Sequence, residues 1–124
     1  MEKNLVVLLI EDNDLNRNML KRRFSKRGLT TILAEDGNTG IKKAQEENPD
    51  CILLDITLPD MPGEEVAKYL AHDKRTNNIP IIALTAIDKK NAVELVETGN
   101  FIDYCLKPFD FPDLIRKIQQ YAGG

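Results

Sequence analysis

Five side chains able to do chemistry stand where apolar runs stop. VVLLI (6–10) runs into Glu11 and Asp12, CILLD ends on Asp55, IIALT ends on Thr85, and FIDYCL is followed by Lys107. Three carboxylates confined to a small volume repel one another unless a cation sits among them. Hard oxygen donors with room for water suit Mg²⁺ (or Mn²⁺) better than zinc or copper. A carboxylate beside a divalent ion and an ammonium can also attack phosphorus and form an acyl phosphate. The charges of such a site balance. Three carboxylates, one divalent cation and one lysine sum to zero, so a phosphoryl group enters without net repulsion.

Each residue also has a plainer use. Glu11 and Asp12 favour the positive end of a following helix, for at most about 1 kcal/mol. Asn13 or Asp14 already supplies the cap there, which leaves the two acids surplus to that need. Asp55 is followed by ITLPDMPG, a Pro- and Gly-rich loop, and an aspartate there is ordinarily a turn residue. Thr85 suits a helix cap, and a lone lysine is ordinarily solvated. Coincidence separates the two readings: four different apolar runs each end in a charged or reactive side chain.

Those ends meet only if the runs are parallel strands of one sheet. The runs are LVVLLI (5–10), TTILA (30–34), CILLD (51–55), IIALT (81–85) and FIDYCL (101–106). Unbroken apolarity in the first, third and fourth predicts strands covered on both faces by helices. TTILA, flanked by polar residues, reads as an edge strand. The helices between them carry their own punctuation. The first opens at Asn13 or Asp14, presents Leu15, Met19, Leu20 and Phe24, and stops at Gly28. The second has Ile41 and Ala44 inward and closes at Asn48-Pro49. The third carries Val66 and Leu70 after Gly63. The fourth spans roughly Lys89 to Thr98 with Ala92, Val93, Leu95 and Val96, before Gly99. The last starts at Asp110, has Pro112 in its first turn, and shows Leu114, Ile115, Ile118 and Tyr121 at helical spacing. Fivefold strand–helix alternation predicts an α/β fold with right-handed crossovers and a doubly wound, five-stranded parallel sheet in the order 2-1-3-4-5. In that order the carboxyl ends of the first and third strands flank the point where ligands bind. An eight-unit barrel needs about twice this length.

At 124 residues, with no repeat or linker, residues 1–124 read as one domain with no output domain. The net charge of −3 gives no reason to expect nucleic acid or an anionic membrane as a direct partner. The run Leu5 to Ile10 is too short for a signal peptide or a membrane span. Cys51 and Cys105 lie inside apolar runs with no metal-ligand spacing, which predicts reduced core thiols and a cytoplasmic protein. His72 has no histidine or cysteine partner and reads as a solvated residue near a helix end.

The acidic pair Glu11-Asp12, Asp55 within LLDITLPDMPG, Thr85-Ala86, Tyr104 and Lys107-Pro108, in this order, resemble the receiver domain of two-component response regulators over essentially the whole chain. The resemblance implies a flavodoxin-like three-layer sandwich and a set of roles. Asp55 is the phosphoacceptor, taking a phosphoryl group from a sensor histidine kinase or a histidine phosphotransfer protein. Asp12, Asp55 and the backbone carbonyl of Thr57 hold Mg²⁺, and Glu11 helps through water. Lys107 contacts the phosphoryl group, and the peptide bond to Pro108 is typically cis. Thr85 and Tyr104 form a switch pair. Thr85 moves toward the phosphoryl group, Tyr104 turns inward, and the surface of helix four, strand five and helix five changes for a downstream protein target. Whether phosphorylation drives dimerisation is left open.

Departures from the family pattern are few. Leu58 replaces a frequent methionine, a volume-conserving swap. Apolar Ile87, two beyond Thr85, implies slower attack of water on the phosphoryl group. Phe101 is larger than usual, and if exposed it marks a docking surface. The stretch EDNDLNRNML looks like receivers of hybrid kinases and stand-alone phosphorelay regulators. Rival readings fit worse. A haloacid-dehalogenase-like phosphatase wants a second aspartate where Thr57 stands, and an FMN-binding flavodoxin wants a phosphate cradle where EDND stands. A receiver-shaped module that is never phosphorylated would lack active-site residues, and here none is missing.

Overall fold

The computed structural model describes residues 4–123. Strands and helices alternate strictly: β1 (Val6–Ile10), α1 (Asp14–Lys26), β2 (Thr30–Ala34), α2 (Gly37–Glu47), β3 (Cys51–Asp55), α3 (Gly63–Ala71), β4 (Ile81–Thr85), α4 (Lys89–Thr98), β5 (Asp103–Leu106) and α5 (Phe111–Ala122). The sheet is parallel throughout and ordered β2-β1-β3-β4-β5, as the alternation predicts. TTILA is indeed an edge strand, with only Ala34 buried, whereas every residue of β3 and β4 is buried.

Side chains alternate between the two faces of a strand, and this splits the core into two layers. Val7, Leu9, Leu53 and Leu84 face α1 and α5 and pack with Phe24, Leu114 and Ile118. Leu8, Ile10, Leu54 and Ala83 face α2, α3 and α4 and pack with Ala44, Val66 and Leu70. Cys51 and Cys105 are free and buried on strands separated by β4. Burial pushes the Cys51 thiol up to about 12 and that of Cys105 up to about 11, so both are unreactive near neutral pH. His72 is exposed at the end of α3.

Caps fix where the helices begin. Asn13, rather than Asp14, caps α1 by accepting from the Asn16 N–H at 2.9 Å. Asp36, Asp88 and Asp110 do the same for α2, α4 and α5. Asn48 ends α2 in the left-handed region, with φ 47°.

Three expectations are corrected. Leu15, read as sharing the inner face with Leu20 and Phe24, is 80% exposed, because it lies five and nine residues before them and so points about 140° and 180° away from them around the helix. The fifth strand begins at Asp103, not at 101; Phe101 is buried against the α4 side of the core and Ile102 is exposed. Phe101 therefore marks no docking surface: its ring fills the space beside Gly99 instead of facing solvent. The fourth helix has a weak inner face, with Ala92 its only buried residue, Leu95 and Val96 half-buried, and Val93 at the surface.

Candidate functional site

Strand register brings the rim residues together. Ile10 pairs with Leu54, which puts Glu11 level with Asp55 on adjacent strands. Thr85 pairs with Leu106, so Lys107 is the first residue past that level. Its N–H continues the ladder by donating to the Thr85 carbonyl at 2.7 Å. Alternation then assigns the faces. Glu11, Asp55 and Lys107 share the parity of Leu9, Leu53 and Cys105, the α1/α5 layer. Thr85 and Tyr104 share the parity of Ala83, in the layer that α4 covers. Sheet geometry alone therefore separates an acid–lysine cluster from a threonine–tyrosine pair.

The acid–lysine cluster is closely knit. The Lys107 ammonium donates to Asp55 Oδ2 at 2.9 Å and to Glu11 Oε1 at 3.1 Å. Asp55 Oδ1 accepts from both the N–H and the hydroxyl of Thr57, each at 2.9 Å. Both carboxylate oxygens are thus held, and the plane of the group is fixed. Glu11 and Asp55 are buried, and Lys107 is partly covered. The Lys107–Pro108 peptide is cis, as the resemblance implies.

Burial and the neighbouring Asp55 carboxylate push Glu11 up to about 7. Asp55 responds the other way. Burial raises its pKa, but Glu11, Lys107 and the Thr57 donors outweigh burial and hold the carboxyl below its usual range. Lys107 is raised, because the two acids outweigh its own burial. At neutral pH Asp55 is therefore the ionised partner of the pair, and Glu11 shares the load with a proton.

A divalent ion fits this donor set. Glu11, Asp12 and Asp55 each offer a carboxylate oxygen within 4.8 Å of the others. Glu11 Oε2 is buried without a hydrogen-bond partner, an orphaned acceptor of the kind a bound ion or its water satisfies. Asp12 is exposed, so the cluster opens to solvent on that side. All three donors are hard oxygens, the chemistry of Mg²⁺ or Mn²⁺.

The threonine–tyrosine pair is held more loosely. Thr85 is buried, and its hydroxyl accepts from the Ile87 N–H at 3.1 Å. Tyr104 is half-buried against the α4 layer. Lys117 of α5 donates to the Tyr104 carbonyl, lies 5.0 Å from the ring centre, and pairs with Asp103 and Asp113 at 3.4 Å.

Sequence reasoning missed three contributors. Asn16 donates its amide to Glu11 Oε1 at 2.9 Å, and Arg17 donates to the Glu11 carbonyl at 2.8 Å while pairing with Asp14. Both lie in the first turn of α1, which overhangs the rim, so a polar residue three to six beyond the acids was the available signal. Lys117 carries no such mark, since only the fold brings α5 across β5.

Known proteins share this fold. Residues 7–119 match the family model of the response regulator receiver domain. The polar-differentiation response regulator DivK of Brucella ovis is 37% identical over 117 residues, covering 94% of this chain and 95% of that protein. A receiver domain of a sensor histidine kinase from Pseudomonas aeruginosa PAO1, solved with a magnesium ion coordinated in its active-site cleft, has a TM-score of 0.89 at 29% identity. The match covers 98% of this chain and 100% of that one. The receiver domain of the Saccharomyces cerevisiae response regulator Ssk1, solved with the histidine phosphotransfer protein Ypd1, gives 0.88 at 25% identity, covering 98% and 91%. Fold, register and family model coincide: this chain belongs to the response regulator receiver domains, signalling domains of two-component systems.

Proposed function

We propose that Asp55 is the phosphoacceptor of this receiver and that the cluster around it is its Mg²⁺-dependent active site. The observation that carries this reading is the Lys107 ammonium bridging Asp55 and Glu11 from a distant strand, with Asp12 in reach of both. A carboxylate oxygen of Asp55 attacks the phosphorus of a phosphohistidine. The P–N bond breaks, and its electron pair returns to the imidazole nitrogen, which takes up a proton. The donor is a sensor histidine kinase or a histidine phosphotransfer protein.

Each residue has one task. Asp12, Asp55 and the Thr57 carbonyl would hold the Mg²⁺, with Glu11 acting through water, and the bound ion would supply neutralisation of the acids and of the oxygens of the transferred group. Thr57 and Lys107 orient the nucleophile, and Lys107 is free to follow the charge onto the phosphoryl group. The added group carries up to about two negative charges at neutral pH. The Thr85 hydroxyl leaves the Ile87 N–H to donate to it, and Tyr104 settles inward behind Thr85. The surface of α4, β5 and α5 changes with them and binds a downstream protein. Ile87, 36% exposed beside the site, slows the approach of water and lengthens the life of the acyl phosphate. The site of action is the cytoplasm, and no helix among the described residues is long and apolar enough to cross a membrane.

The experiment is incubation with acetyl phosphate and Mg²⁺ followed by intact-mass analysis. One phosphoryl group per chain is expected, absent in Asp55→Asn and with excess chelator. Steady release of phosphate from many phosphomonoesters, well beyond one equivalent, would point to a phosphatase instead.

A further inference from the structure

We propose that the trough between α2 and α3 is a docking site for an acidic amphipathic helix of a partner protein. The trough holds about 640 Å³ and opens to solvent on the sheet face opposite α1 and α5. Its lining includes no residue of the Asp55 cluster and none of α4, β5 or α5. Half-buried Ile41 and Met61 line it, and Tyr69 stands beside them with 55% of its surface exposed. An exposed aromatic next to an apolar floor is the kind of anchor that interfaces use.

Charge selects the partner. Lys42 on α2 and Lys68 on α3 rise from the two walls, and among the described residues neither is paired with a carboxylate. Among the described residues Glu65 is the one acid lining the trough, which leaves that lining net positive on a chain whose total charge is −3. Two helices form the walls, from Asn38 to Gln45 on one side and from Glu65 to His72 on the other. The α2 wall alone is about 10 Å long at the helical rise per residue. A helix carrying apolar residues on one side and acids along its flanks matches that shape and that charge.

The trough is also formed in advance. Asp60 accepts from the Gly37 and Asn38 N–H groups at 2.8 and 2.9 Å and pins the loop before α3 to the start of α2. Met61 packs so closely on Gly37 that a Cβ there would lie 2.7 Å from the Met61 Cγ. At the far end Gln45 donates to Asp73 at 2.9 Å. Walls fixed at both ends leave less ordering to be lost on binding.

The test uses the full chain without phosphorylation, so it does not depend on the role of Asp55. Two display libraries of helical peptides share leucine at i, i+3 and i+7. One carries Asp and Glu at the flanking positions, and the other carries Lys there. Binders are expected from the acidic library alone, with NMR shifts confined to residues 38–45 and 61–72. Lys42→Glu combined with Lys68→Glu should weaken the best peptide about tenfold. Glu65→Lys should tighten it about threefold. All three positions are at the surface, so the variants keep the fold. Recovery of no binder, equal recovery from the basic library, shifts on another face, or affinities unchanged in the charge variants would overturn the proposal.

Discussion

The two faces of the carboxyl rim are built to opposite standards. On the α1/α5 side, Glu11, Asp55, Lys107, Thr57 and Asn16 form a connected set of short polar contacts around buried groups. On the α4 side, the Thr85 hydroxyl has a single 3.1 Å bond among the described residues, Tyr104 is half-buried, and α4 buries only Ala92. Geometry that the proposed chemistry needs is over-determined, whereas the element proposed to move is weakly held. Poorly buried elements lie at the low end of local stability, where switching segments are drawn from.

The largest test of this contrast is Lys107→Met. It removes the cation shared by two buried acids and leaves their repulsion uncompensated. We expect a stability loss of about 2–3 kcal/mol at pH 8, at or below the lower part of the range for breaking buried pairs because Lys107 is partly exposed. Urea denaturation measures it. Thr85→Ala on the loose side should cost only about 1 kcal/mol, since the Ile87 N–H it abandons can bond to water. Equal losses in the two variants would erase the distinction between the faces.

The acid–lysine side also predicts a pH dependence. Glu11 has an ordinary value of 4.5 and a folded value of about 7, so between them the folded state holds a proton that the unfolded chain has lost. Stability without Mg²⁺ is therefore greatest below about 4.5 as far as Glu11 contributes, and falls as pH rises through about 7. Asp55 works in the opposite sense, losing its contribution only as pH falls through its depressed value in strongly acidic solution. Thermal denaturation of wild type and Glu11→Gln across pH 5 to 8 separates the two. The glutamine variant should lose most of the slope, because its amide has no proton to shed.

Much of this contrast was legible in the sequence, for a simple reason. Strand ends are marked by the change from apolar to polar residues, and parallel register carries those ends to one rim. Glu11, Asp55, Thr85 and Lys107 could be placed together on that basis. Side-chain parity even divides them correctly once the register is known. The phase of α1 was legible but passed over: Leu15 lies about 180° around the helix from Phe24 and faces solvent, while Asn16, one residue on and four before Leu20, reaches back to Glu11. Adjacent carboxylates look equivalent in a string, but Glu11 points into the buried layer and Asp12 is exposed. Phe101 misled for a related reason: residues before a short strand can be buried by a loop as fully as by the sheet.

The smallest stability effect is expected at Asp12. Asp12→Ala removes an exposed side chain and should change stability by less than about 0.5 kcal/mol. Its effect on the ion should nonetheless be large, and that pairing bears on the central claim that the rim is a built cation site. Calorimetric titration of Mg²⁺ into the unphosphorylated protein at pH 7, repeated in two buffers of different ionisation enthalpy, tests it most directly. Saturable binding with proton release from Glu11 is expected, weakened at least about tenfold in Asp12→Ala. Absence of saturable binding, or equal affinity in wild type and variant, would contradict it.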